Sequence, residues 1–310
     1  MTRSAIVVGA VQSTAILLEA MRAAGWLPKL IITVPDDRSA MHSDYVDLGA
    51  WGAVHGVEVA KSLNVEQPDI LARVRDLDPD FIFVVGWSRL CGPTFQACAR
   101  SGVMGYHPAP LPRLRGRSAL SWTILLQLER TAGSLFWIDE GTDAGALLAQ
   151  ETFELDERVR LGELLDLHML ALRKMLDRVL PRLIEGDVSA AVQDESAATY
   201  LSARRPEDGL INWNDDALSI DRLIRAVGRP YPGAFTWLGR KKVTIWDAKP
   251  VARPEWIAQV GQIFDYAAGA PIVRCGNGSS LCLVEYDISE GGEPVESRLK
   301  GQPRFRERSN

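Results

Sequence analysis

Ser4-Ala5-Ile6-Val7-Val8-Gly9, a stretch of helical period over 14–24, and Leu30-Ile31-Ile32-Thr33-Val34 form the first unit of a repeating pattern. A continuous apolar run bounded by a turn signal predicts a strand buried on both faces. Gly25, just past the periodic stretch, predicts a helix C-terminus. The unit then recurs. A helix over 70–77 leads into Phe81-Ile82-Phe83-Val84-Val85-Gly86, Pro93 opens another helix, and 103–106 forms the strand that delivers His107. Strands alternating with helices predict an α/β fold with a doubly wound parallel sheet. In such sheets ligands lie beyond the carboxyl ends of the strands. Trp87-Ser88-Arg89-Leu90 follows one such end and His107 stands at another. Gly9-Ala10-Val11-Gln12-Ser13 lacks the further glycines that admit a pyrophosphate, which excludes an NAD-dependent enzyme and leaves a mononucleotide-type crevice open.

The second half reads differently. Leucines at helical spacing predict an amphipathic helix over 161–183, with His168 on a helix face rather than acting as a ligand. After Glu185-Gly186-Asp187 the pattern breaks. Short alternating segments at 210–213, 234–238, 242–246, 261–264, 272–274 and 281–284, with a helix over 220–227, predict a small antiparallel β domain. The expected organisation is a catalytic domain over 1–200, a β-rich domain over 201–290 and a flexible tail over 291–310.

Composition narrows the functional classes. With 310 residues, 46% hydrophobic and 24% charged, the chain is long enough for two domains with a substantial core. A net charge of −5 argues against a general nucleic-acid binder. The four cysteines, Cys91, Cys98, Cys275 and Cys282, show no metal-ligand spacing and are expected to be reduced, buried thiols; no metal is expected. No leader opens the chain and no apolar run is long enough to span a bilayer, so no membrane partner and a cytoplasmic location are expected.

The densest chemistry lies in His107-Pro108-Ala109-Pro110-Leu111-Pro112-Arg113-Leu114-Arg115-Gly116 and in Asp139-Glu140-Gly141-Thr142-Asp143-Ala144-Gly145. Three prolines stiffen the first loop into a rim rather than a hinge. Histidine takes and returns a proton near neutral pH. A loop carboxylate reaching it fixes its tautomer and stabilises its charged form. His107 is therefore the candidate base and Asp143 its orienting acid, while Asp139 also reads as a turn carboxylate satisfying its own loop.

These two loops resemble the core motif of the 10-formyltetrahydrofolate-dependent formyltransferases, in which Asn-x-His precedes a Leu-Leu-Pro-x-x-Arg-Gly loop and an Asp-x-Gly-x-Asp-x-Gly-like loop follows. His107, Leu111-Pro112, Arg115-Gly116 and Asp143 match it. Arg205-Pro206-Glu207-Asp208-Gly209-Leu210-Ile211-Asn212-Trp213 and the segment through Pro230-Tyr231-Pro232-Gly233 resemble the region that follows the core, so the similarity spans roughly residues 4 to 288. One position departs: Gly105 stands where the family has its asparagine. The resemblance implies a Rossmann-like core and N10-formyltetrahydrofolate as co-substrate. It implies His107, Asp143 and the Gly105 position as catalytic, with Trp87, Ser88, Arg89, Leu90, Leu111, Asp139, Gly141 and Thr142 on the cofactor. Pro108, Ala109, Arg115 and Arg117 are expected on the substrate side. With the asparagine donor gone, His107 is expected to carry more of the oxyanion stabilisation.

The acceptor is read from what surrounds this core. The methionyl-tRNA branch of the family inserts a basic, glycine-rich loop after its second strand. Pro35-Asp36-Asp37-Arg38-Ser39-Ala40-Met41-His42-Ser43-Asp44 is short and net acidic instead. The chain is more similar to the sugar N-formyltransferases of O-antigen and other lipopolysaccharide or surface-glycan pathways. That likeness implies a nucleotide-linked amino sugar as partner and a homodimer. A methionyl-tRNA formyltransferase, a hydroxyornithine formyltransferase and a non-catalytic folate-binding relative are the alternatives.

Overall fold

A computed structural model of the chain describes residues 3–41, 43–289 and 304–305. The first half of the expected α/β region reads in chain order as β1 (Ala5–Val8), α1 (Gln12–Ala23), β2 (Leu30–Thr33), α2 (Leu48–His55), β3 (Glu58–Lys61), α3 (Pro68–Leu77), β4 (Phe81–Val84), α4 (Pro93–Gln96) and β5 (Gly102–His107). A two-residue β6 (Arg115–Gly116), α5 (Ala119–Leu125), β7 (Arg130–Trp137), β8 (Leu147–Glu154), α6 (Leu161–Glu185) and a two-residue β9 (Tyr200–Leu201) follow. Seven strands form one sheet in the order β3-β2-β1-β4-β5-β7-β8.

The sheet is mixed rather than wholly parallel. Strands β1 to β5 run parallel, but β7 pairs antiparallel with β5 and β8 antiparallel with β7. The sequence hides these last two strands: β7 carries Gly133 in its interior, and β8 alternates largely between half-buried and exposed as the sheet's edge. Side-chain alternation divides the core between two faces. On one, Val7, Phe81, Phe83, Met104 and Leu135 pack against Leu17 and Met21 of α1 and Leu172, Leu176 and Leu183 of α6. On the other, Ile6, Ile32, Ile82 and Val84 pack against Ile70 and Val74 of α3 and Phe95 of α4. Gly9, at the end of β1, meets β4 closely enough that a Cβ would lie 2.1 Å from the Val85 carbonyl oxygen. Its role is this close approach, which the Thr14 hydroxyl seals by donating to the same carbonyl at 2.6 Å.

By their internal contacts the described residues group into two units, one drawn from 1–119, 129–155 and 165–202, the other from 120–128, 156–164 and 203–310. In the second, α7 (Ala217–Val227) packs on an antiparallel sheet of β10 (Ala234–Leu238), β11 (Lys241–Val251), β12 (Ile263–Ala267), β13 (Ala270–Arg274) and β14 (Ser280–Ile288). The strand order is β10-β11-β14-β13-β12. The strand expected over 210–213 does not form; only an isolated bridge joins Leu210 to Phe235. The Asn212 side chain receives the Asn214 N–H at 3.1 Å, a local turn that ends extension there. Of the tail expected to be flexible, all but residues 304–305 lies outside the described residues. Phe305 itself is buried and stacks on Trp213 at 5.4 Å. Among the described residues no helix is long and apolar enough to cross a membrane, and the four cysteines form no disulfide.

Candidate functional site

β5 lies between β4 and β7 and carries Gly105 and His107 two residues apart, hence on one face. His107 is only 6% exposed. Its Nε2 lies 2.7 Å from the Leu114 carbonyl oxygen. A carbonyl only accepts, so Nε2 carries a hydrogen, and in the neutral imidazole the lone pair is on Nδ1. Nδ1 stands 3.7 Å from Asp143 Oδ2. That same carboxylate oxygen accepts the Gly116 N–H at 2.8 Å. Asp143 holds a φ of 50°, in the left-handed region that a non-glycine residue keeps only where its surroundings impose it. The proline loop is pinned by Ser134, whose hydroxyl donates to the Ala109 carbonyl at 2.7 Å, and by Gln150, whose amide donates to the Leu111 carbonyl at 2.9 Å.

Beside this pair lies a cavity of about 510 Å³, within the range of small-molecule sites. Val84, Gly105, Phe136 and Ile138 line it from the sheet, and Trp87, Arg89, Leu90, Cys91 and Pro93 from the segment after β4. Asp139, Gly141, Thr142 and Asp143 come from the loop after β7. Burial, followed by the nearby Glu66 carboxylate, pushes the Cys91 thiol up to about 12, so it is an uncharged group in that wall. The Trp87 indole N–H is buried without an acceptor. A flat aromatic ligand suits the apolar walls, and a pterin has that shape. The Asp139 carboxylate accepts the Gly141 N–H at 2.9 Å, the turn role that the sequence suggested for it.

The remaining expected residues are placed elsewhere. Ser88, Leu111, Pro108, Ala109, Arg117 and His107 itself are not among the cavity's lining groups; Ala109 and Leu111 are buried, while Ser88 and Arg117 are exposed. Arg115, expected at the substrate, is fully buried instead and bonds Glu195, Gln193 and Tyr200. An arginine beside a catalytic loop looks the same in sequence whether its partner is a ligand or a distant carboxylate. Sequence reading also missed Phe136 and Ile138, which share the wall with Gly105 because β7 pairs with β5 there. A Cβ at Gly105 would sit 3.0 Å from Ile138 Cγ1 and 3.1 Å from the Phe136 ring. With Nε2 at the Leu114 carbonyl and Nδ1 facing Asp143, both imidazole nitrogens of His107 are turned to protein groups.

A family model described as "Formyl transferase" matches residues 10–176, and one described as "Formyl transferase, C-terminal domain" matches 204–298. Among solved structures, HypX from Aquifex aeolicus in complex with tetrahydrofolic acid is 16% identical, with a TM-score of 0.65 over 94% of this chain and 45% of that one. The present chain thus spans less than half the length of HypX. An N-formyltransferase from Helicobacter canadensis, solved with folinic acid and dTDP-3-aminofucose, is 16% identical over 91% of this chain and 98% of that one, with a TM-score of 0.63. Methionyl-tRNA formyltransferase from Clostridium thermocellum is 17% identical over 94% of this chain and 100% of that one, with a TM-score of 0.61. At such identities the likeness is one of fold.

Proposed function

Because the chain belongs to the formyl transferase family, we propose that it transfers a formyl group from N10-formyltetrahydrofolate to the amino group of a nucleotide-linked amino sugar. The observation that carries the reaction class is the His107–Asp143 pair held beside a cavity whose walls suit a pterin. The folate supplies the formyl group; the chain's own residues bind, orient and move protons. Asp143 lines the cavity and His107 does not, so a proton leaving the acceptor amine reaches the imidazole from the carboxylate's side. His107 takes it at Nδ1, 3.7 Å from Asp143 Oδ2, and returns it to N10 of the folate as the new C–N bond forms and the formyl carbon's bond to N10 breaks. The Leu114 carbonyl holds the other nitrogen and with it the ring's orientation.

The acceptor assignment rests on the short, net acidic segment at 35–44, where a grip on RNA phosphates would need clustered Lys and Arg. The dTDP-3-aminofucose complex of the Helicobacter canadensis protein, on the same fold, supports the sugar reading. One observation favours a second reading, a folate-binding relative without turnover: apolar Phe136 and Ile138 stand around Gly105, where the family has an amide. The test is incubation with N10-formyltetrahydrofolate and, in parallel, a nucleotide-linked 3-amino or 4-amino dideoxy sugar and methionyl-tRNA, with products separated by chromatography. Formylated sugar nucleotide and unmodified tRNA are expected. Salt-sensitive formylation of the tRNA would overturn the acceptor, and no product with any amine would leave the binding-only reading.

A further inference from the structure

Asp143 is gripped at both ends, and only one of the two grips lies near the motif. Its carboxylate accepts the Gly116 N–H, while its own carbonyl accepts the Gln193 side-chain amide at 2.8 Å. The same amide nitrogen donates to the Gly145 carbonyl at 2.7 Å, so Gln193 holds the loop on both sides of Ala144. Gln193 is 5% exposed. Its amide orientation is fixed by chemistry: Arg115 donates from Nε at 3.3 Å and from Nη2 at 2.8 Å, and an oxygen alone can accept both. Arg115 in turn is anchored by the Glu195 carboxylate, at 2.9 Å from Nη1 and 2.6 Å from Nη2, and by the Tyr200 hydroxyl at 3.2 Å. Since Arg115 and Gly116 are consecutive, the interactions close a ring: Gly116 to the Asp143 carboxylate, Asp143 carbonyl to Gln193, and Gln193 to Arg115.

We propose that Gln193, oriented by Arg115, is a positioning residue for the formyl transfer: its two donated hydrogen bonds hold Asp143 in its left-handed conformation and so set the carboxylate against His107. The inference rests on the reading of Asp143 as the partner of the catalytic base. Bonds to main-chain carbonyls on either side of residue 144 restrain the backbone of the loop, and the left-handed φ of Asp143 is the conformation that would relax if they were lost. The closeness of Nδ1 and Oδ2 then depends on a residue that touches neither ligand nor base.

Gln193→Glu separates the two halves of the side chain's role. The variant keeps an oxygen for Arg115 but offers no donor to Asp143 and Gly145. Gln193→Met, of similar length and without polar atoms, serves as a second variant should the first fail to fold. Two readouts are taken: hydrogen exchange at the Gly116 amide, which reports whether the Asp143 carboxylate is seated, and steady-state formyl transfer. In Gln193→Glu, Gly116 exchange is expected to rise toward its rate in Asp143→Ala while the global unfolding midpoint holds. kcat is expected to fall about 10²-fold, the scale of an ångström-level misplacement, with KM for N10-formyltetrahydrofolate near the wild-type value. Wild-type protection of Gly116 in both Gln193 variants would overturn the proposal. Loosened Gly116 with undiminished kcat would instead overturn the catalytic reading of Asp143, and Gln193's part in catalysis with it, so the two failures are told apart.

Discussion

Gly105 stands on the cavity wall where the family has an amide, and it leaves little room for a Cβ. The Cβ of any other residue would press on Ile138 and Phe136 at 3.0 and 3.1 Å, and Gly105 is buried between its paired neighbours Val84 and Phe136. Gly105→Asn is therefore expected to destabilise the fold by about 1–3 kcal/mol, the usual cost of overpacking a close-packed interior. The shift in denaturant midpoint measures it, and an unchanged midpoint would mean that Phe136 and Ile138 yield freely. Formyl transfer by the same variant is expected to be unchanged or slower. A rise in kcat by orders of magnitude would show that the native site has no substitute for the missing donor. The motif that the sequence made legible, His107 through Asp143, lies in two contiguous loops. Gln193 could not be read that way, since its partners stand 50 and 78 positions away and only the folded chain joins them.

Helix α6 buries a titratable group among its leucines, and that element gives the molecule a pH dependence. His168 is fully buried, its Nδ1 lies 3.0 Å from the Tyr106 hydroxyl, and its ring stands edge-on to Phe153 at 4.9 Å. Burial first, and the neighbouring His107 second, push its imidazole down to about 3. The unfolded chain takes up this proton near pH ~6.5, whereas the folded chain resists it. The stabilisation is therefore complete above that pH and is lost as pH falls from there toward the folded value. Over that window this one site is expected to cost about 1.4 kcal/mol per pH unit. Urea midpoints for wild type and His168→Leu, taken at intervals below neutrality, isolate it. The variant should show the shallower slope, and equal slopes would contradict a neutral buried imidazole. The helix itself was plain from leucine spacing. That its histidine faces the sheet rather than solvent was not, because a histidine on the buried stripe and one beside it differ by a small rotation.

Across the whole chain, the strands legible in the sequence are those spelled as apolar runs; β7, though buried, is interrupted by Thr131, Gly133 and Ser134. β1, β2, β4 and β5 show as continuous apolar runs, and α6 by its period. β3 and β8, at the two edges of the sheet, carry exposed residues and leave no such trace. The antiparallel β7 was the costly omission, because it supplies Phe136 and leads directly into Ile138 on the cavity wall. In the second unit most of the short strands announced themselves, and the 210–213 segment failed through an asparagine turn. What these pieces assemble is a family core, in which the function proposed above rests its proton chemistry on His107 and Asp143. The most direct test follows transfer of a labelled formyl group from N10-formyltetrahydrofolate to a nucleotide-linked amino sugar by wild type, His107→Ala and Asp143→Asn side by side, with circular dichroism confirming that all three are folded. The account predicts transfer by wild type and a loss of about 10²–10⁴-fold in kcat for each variant. A folded His107→Ala enzyme with near wild-type kcat would contradict it.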